Sequence, residues 1–233
     1  MKQPKVIFLD AVGTLFGVKG SVGEVYRYLA AEVGVECDAS LLEKVFYQQF
    51  KKAPPLAFQG VDIMMVPDLE YQWWYRVAYD TYTEANVIDQ FSDFDGFFRQ
   101  LYDYFATPHP WFLYTDVFPA LQHWQKQGIT LGIISNFDSR IYEVLDIFGL
   151  TNFLQTITIS STTGKAKPDS HIFIKALEKH NCKPEETWHI GDSRKEDYDG
   201  AKSVGINPFL LERNEEVSRS DYTIIDSMER LTL

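Results

Sequence analysis

The 233-residue chain has few cysteines, no long apolar run and no surplus of basic charge. Its two cysteines, Cys37 and Cys182, cannot build a disulfide framework and lack metal-ligand spacing, so both are expected to be buried thiols. No stretch approaches the roughly 20 apolar residues that span a bilayer, and Met1 to Leu9 is too weakly apolar for a secretory signal. Lys and Arg number 22 against 33 Asp and Glu, a net charge of -11. A nucleic-acid binder needs a basic face, so that class is excluded as the main role. The expectation is a soluble, cytoplasmic protein without nucleic-acid or membrane partners. What the chain does have is apolar content: 45% hydrophobic residues can close a substantial core.

Val6-Ile7-Phe8-Leu9 is apolar throughout, as strands buried on both faces of a parallel sheet are. Similar runs recur at Leu131 to Ile134, Ile157 to Ile159, Trp188 to Ile190 and Phe209 to Leu211. Helical patterns alternate with them: Phe118 to Gln127 before Gly128, Arg140 to Phe148 before Gly149, Ile172 to His180, and Asp197 to Val204 before Gly205. Glycine just past a helix is the usual C-terminal punctuation. The alternation predicts a doubly wound, parallel, Rossmann-like α/β sheet.

One stretch interrupts it. From Phe16 to Trp111 the sequence reads helical, with no convincing buried strand, and carries 21 of the 35 aromatics in 96 residues. Tyr71, Trp73, Trp74, Tyr75, Tyr79 and Tyr82 are dense enough to build a small core of their own. The expected division is a core of residues 1–15 and 112–233 with a helical cap domain of residues 16–111 inserted after the first strand.

Ligands of parallel α/β sheets bind beyond the carboxyl ends of the strands. There this sequence places Asp10-Ala11-Val12-Gly13-Thr14-Leu15, then Ser135-Asn136-Phe137-Asp138, then Lys165-Ala166-Lys167-Pro168-Asp169, then Gly191-Asp192-Ser193 followed by Asp197. Each has an ordinary reading: Asp138 and Asp169 as helix N-caps, Ser135 as a cap, Asp197 as a solvated helix acid. Four such groups in order, each at a strand end, point instead to a site. Competing motifs fail. Gly17-x-x-Gly20-x-x-Gly23 lacks the dinucleotide spacing, Gly164-Lys165-Ala166 is no P-loop, and no histidine pair is spaced for zinc. His189 is expected to be a satisfied core residue.

In these motifs the chain resembles the haloacid dehalogenase superfamily of hydrolases, in the branch with a helical cap after the first motif. It is most similar to the subgroup called haloacid dehalogenase-like hydrolase domain-containing, which shares the Ser135-Asn136-Phe137-Asp138 run and Gln72-Trp73-Trp74. The resemblance implies Asp10 as a carboxylate nucleophile with Lys167 as its fixed cation. It implies Mg²⁺ held by Asp10, Asp192 and the Val12 carbonyl, with Asp197 acting through water or behind the ligands. Ser135 and the Asn136 backbone N–H, at a helix start, are expected to hold phosphate, Gly13 to let the backbone approach it, and Thr14 either to orient Asp10 or to contact the phosphate. The implied substrate is a small phosphorylated metabolite, hydrolysed through an aspartyl-phosphate.

The sequence departs from the family at Val12, where a second aspartate normally protonates the leaving group. Losing that acid costs on the order of 10²–10⁴ in rate. Four readings stay open: a metal-dependent phosphatase, a weak or inactive protein that binds a phosphorylated ligand or a protein partner, a metal-free 2-haloacid dehalogenase, and a phosphonatase using Lys51 or Lys52. Neither substrate identity nor oligomeric state is legible.

Overall fold

The computed structural model describes residues 3–213 and 222–231. Among these residues the strands and α-helices follow in chain order: β1 (Val6–Leu9), β2 (Phe16–Val18), α1 (Val22–Glu32), α2 (Ala39–Lys52), α3 (Val66–Glu84), α4 (Phe94–Tyr104), β3 (Trp111–Leu113), α5 (Val117–Lys126), β4 (Thr130–Ser135), α6 (Ile141–Ile147), β5 (Thr156–Ile159), α7 (Ser160–Thr163), α8 (Ser170–His180), β6 (Thr187–Gly191), α9 (Gly200–Ser203), β7 (Asn207–Leu211) and β8 (Ile224–Ile225). The main sheet runs β5-β4-β1-β6-β7-β8, with every pairing parallel.

The five apolar runs all lie in strands of this sheet. Burial on both faces explains why they lack the alternation of a half-exposed strand. Val6 and Phe8 pack against Ile172, Phe173, Ala176 and Ala201 of α8 and α9. Strand alternation turns Ile7 and Leu9 to the other face, where they too are fully buried. The architecture is therefore a parallel, Rossmann-like α/β sheet.

The chain forms two compact units: Met1–Gly17, Leu56–Val61 and Leu113–Leu233 make one, and Val18–Pro55 with Asp62–Phe112 the other. Leu56–Val61, inside the stretch read as insertion, goes with the sheet unit. The Ser160 hydroxyl donates to the Leu56 carbonyl (2.7 Å) and the Phe58 N–H to the Ser161 carbonyl (3.4 Å). The stretch from Phe16 to Trp111 also holds strand residues against expectation, since β2 and the start of β3 pair in a separate two-stranded sheet. β2 is only Phe-Gly-Val, and β3, an apolar Trp-Phe-Leu run, straddles the expected domain boundary.

The second unit is helical and its core is aromatic. Tyr82 is fully buried, stacks on Tyr26 at 5.6 Å and donates its hydroxyl to the Tyr26 carbonyl at 2.9 Å. Phe97, Phe98 and Leu101 of α4 close the same cluster. Lys51 and Lys52, at the end of α2, are exposed. Cys37 and Cys182 are free thiols and only half-buried, not buried as expected. Among the described residues, no helix is long and apolar enough to cross a membrane.

Candidate active site

β1 and β6 are neighbours in register, so Asp10, just past Leu9, and Asp192, just past Gly191, emerge side by side at the carboxyl ends of two central strands. Ser135 ends β4 on the other side of β1, and the loop after α7 brings in Lys167. The Lys167 ammonium is buried and donates to Asp10 Oδ1 and to Asp197 Oδ1, each at 2.6 Å. Burial opposes a charge on Lys167, but the two carboxylates outweigh it and hold its pKa above the ordinary value.

Three of the acids near Lys167, Asp10, Asp192 and Asp197, differ in environment. Burial pushes Asp10 up, Lys167 pulls against it, and the charge of Asp197 adds to the rise. Burial alone would also raise Asp197, but Lys167 and a hydrogen bond from His189 hold it well below the usual carboxylate range. Asp192 reaches solvent, yet partial burial, followed by the charges of Asp10 and Asp197, pushes it up to about 7. One lysine thus faces three carboxylates, with an oxygen of each lying within 4.8 Å of the others.

Asp197 is neither a solvated helix acid nor free to turn. Its Oδ1 accepts from Lys167 and lies 2.8 Å from His189 Nε2, and its Oδ2 accepts from the Ser193 N–H at 3.0 Å. It sits in a π-helical turn, Arg194–Asp199, where an α-helix over Asp197 to Val204 was expected; α-helical geometry begins only at Gly200. π-turns inside helices cluster at functional sites. His189 is half of what the sequence suggested: it is fully buried, but its Nδ1 has no hydrogen-bond partner among the described residues.

Asn136 does something the sequence did not reveal. Its Oδ1 accepts from the Lys167 N–H at 2.7 Å while its Nδ2 donates to the Lys167 carbonyl at 3.0 Å, pinning the backbone that carries the lysine. It is not at a helix start, because α6 begins only at Ile141. Between them, Asp138 is fully buried and clasps Arg140 rather than capping α6. Asp169 does cap α8, accepting from the His171 N–H at 2.9 Å. The Thr14 hydroxyl is buried and makes no hydrogen bond to Asp10 or to any other of the described residues. Ser135 is buried at the strand end.

Gly13 has φ +87, and a Cβ there would fall on the Asp192 carboxylate. Gly191 is constrained by space alone, since a Cβ there would strike Asp197. Gly13→Ala is therefore expected to cost about 1–3 kcal/mol through backbone strain and to displace Asp192. Thermal denaturation checks this, and an unchanged midpoint would show that the loop relaxes. Val12 is 37% exposed, where a half-buried residue was expected. Beside it, Gly13, Tyr114, Asp192, Arg194, Leu211, Glu212 and Arg213 line an open pocket of about 480 Å³.

Residues 4–205 match the family model for haloacid dehalogenase-like hydrolases. The Bos taurus haloacid dehalogenase-like hydrolase domain-containing protein 3 is 30% identical over 210 residues, spanning 90% of this chain and 82% of that one. Among solved structures, YfnB from Bacillus subtilis bound to magnesium superposes with a TM-score of 0.74 at 18% identity, covering 99% of this chain and 97% of that one. The L-2-haloacid dehalogenase of Xanthobacter autotrophicus gives 0.71 at 13% identity, covering 99% and 97%. At such identities these structures share the fold and leave the chemistry open.

Proposed function

The chain belongs to the haloacid dehalogenase-like hydrolase family, and from that premise we propose that it is a metal-dependent phosphoryl hydrolase acting on small phosphorylated metabolites. The observation that carries this reading is the charge imbalance beyond the carboxyl ends of the strands, where three carboxylates converge around one lysine. Such a donor set suits a hard divalent cation such as Mg²⁺ and would repel the carboxylate of a haloacid.

Asp10, Asp192 and the Val12 carbonyl would hold the ion. Asp197, with both oxygens already engaged, fixes Lys167 from behind. A bound Mg²⁺ would offset the negative charge of the phosphate and of the acids. In this reading Lys167 keeps Asp10 ionised and oriented through Oδ1. The other oxygen of Asp10 attacks phosphorus, the P–O bond to the leaving group breaks with its electron pair on oxygen, and an aspartyl-phosphate remains. Water then attacks that phosphorus, releasing phosphate and the Asp10 carboxylate. Ser135 and Gly13 are the proposed phosphate contacts. Thr14, with its hydroxyl buried, is assigned no contact of its own.

Val12 supplies no proton, so substrates that leave as stabilised anions are favoured over simple alkyl esters. With Mg²⁺ present, an aryl phosphate should turn over much faster than an alkyl phosphate, and 2-chloropropionate should release no chloride. Val12→Asp should narrow that gap, by at most roughly 10²–10⁴. Because position 12 is exposed, the new carboxylate carries little desolvation cost. Chloride release without metal would sink the proposal. Val12 is also the observation that favours a second reading, a phosphate-binding protein without turnover. Phosphate binding with no hydrolysis of either ester, in both wild type and Val12→Asp, would select it.

A further inference from the structure

Arg213 follows the end of β7, two strands away from the Asp10 loop, and its side chain is only 15% exposed. One arm of its guanidinium donates to Asp116 Oδ1 at 2.6 Å and the other to the Thr14 carbonyl at 2.7 Å. Its central carbon lies 4.0 Å from the centre of the Tyr114 ring. The three contacts belong to two separate places in the chain. Thr14 is in the loop that carries Asp10, just before the chain leaves the sheet unit at Gly17. Tyr114 and Asp116 are where it comes back, after Leu113.

The two places are also joined directly, by the Tyr114 N–H donating to the Leu15 carbonyl at 3.1 Å. Asp116 is anchored in turn by the Ser227 hydroxyl (3.1 Å) and the Met228 N–H (2.9 Å). The loop itself is a tight turn, with the Leu15 N–H on the Ala11 carbonyl (2.7 Å) and the Gly13 N–H on the Phe16 carbonyl (2.8 Å). Within it Gly13 lies against Asp192 so closely that no side chain fits. A small shift of this turn moves Val12 and Gly13 relative to Asp192.

We propose that Arg213 is a positioning residue, locking the Asp10–Leu15 turn to the returning segment Tyr114–Asp116 and so fixing Val12 and Gly13 against Asp192. The inference rests on the reading of Asp10–Leu15 as the reacting loop. Only arginine meets the geometry, because two arms of a rigid planar fork satisfy a carboxylate and a carbonyl while its face covers a ring. Lysine retains the charge opposite Asp116 but cannot make both bonds in that arrangement.

The test compares full-length Arg213→Gln and Arg213→Lys with Ser227→Ala, which touches the same Asp116 from the far side and not the loop. Amide hydrogen exchange is followed across the chain, and kcat and KM are measured with an aryl phosphate and Mg²⁺ below each variant's melting temperature. In both arginine variants the amides of residues 13–16 should exchange about tenfold faster or more, while those of β4 and β6 keep their wild-type rates. Their kcat should fall roughly 10- to 100-fold with KM little changed. Arg213→Lys should recover melting temperature without recovering kcat, and Ser227→Ala should lose stability alone. Exchange that rises evenly through the sheet, or wild-type kcat in a folded Arg213→Lys, would reduce Arg213 to a structural clamp and overturn the proposal. If the wild type hydrolyses no phosphate ester, the proposed function fails, and the exchange pattern still decides whether Arg213 holds the loop.

Discussion

Lys167→Met is expected to abolish turnover and to lower stability by about 3–5 kcal/mol, the usual cost of removing one partner from a buried ion pair. The ammonium is buried at 2.6 Å from both Asp10 and Asp197. Without it, two interior carboxylates face each other. Asp197 keeps His189 and the Ser193 N–H, but the charge that does most to hold it ionised is gone. The chain must then bind a proton or open a path to water, and either route costs free energy. Urea denaturation in the presence of a chelator measures the loss. Adding Asp10→Asn to Lys167→Met should recover part of it by removing one of the stranded charges. A loss below about 1 kcal/mol, the range of surface pairs, would mean that the pair is worth no more than an exposed one.

Asp10→Asn should separate activity from stability. Turnover is expected to fall on the order of 10⁴-fold or more, as when a nucleophile is removed from a group of residues that act as a unit. Stability should hold or rise. Burial and the charge of Asp197 already push the Asp10 carboxyl up, and asparagine relieves that repulsion while Lys167 keeps Asp197. Asp10 also adds to the pressure that lifts Asp192 to about 7, so its loss eases a second carboxyl. Sites that concentrate like charge give up stability for chemistry, and removing one charge should return some of it. The two measurements are initial rates with an aryl phosphate and Mg²⁺, and a chelator-treated denaturation curve. A variant that is both inactive and markedly less stable would show Asp10 to be chiefly structural.

The sheet was legible because its strands are buried on both faces. Val6 to Leu9 and Trp188 to Ile190 announce themselves by composition, and Gly128, Gly149 and Gly205 mark ends of helical segments. The short pieces were not legible: β2, β3 and β8 have two or three residues each and exist only through their pairing partners. Leu56–Val61 looked like insertion because its attachment to Ser160 and Ser161 spans over a hundred positions. The same limit governs the site. Asp10, Asp192 and Lys167 could be named because strand ends concentrate polar groups. Asn136 clamping the Lys167 backbone, His189 behind Asp197 and Arg213 on the Thr14 carbonyl are contacts between distant segments, and no local spacing carries them. Val12 was the clearest departure in the sequence, yet its exposure depended on a turn whose shape Gly13 and Asp192 set together.

In the proposed hydrolysis phosphorus passes to Asp10, and trapping that intermediate tests the step directly. Mixing the protein with Mg²⁺ and an aryl phosphate, quenching in acid and reducing with borohydride converts an acyl phosphate to an alcohol at the modified residue. Peptide mass spectrometry then locates it. Conversion of Asp10 to homoserine is expected, dependent on Mg²⁺ and absent from Asp10→Asn. Phosphate release with Asp10 unmodified, or modification at another carboxylate, would contradict it.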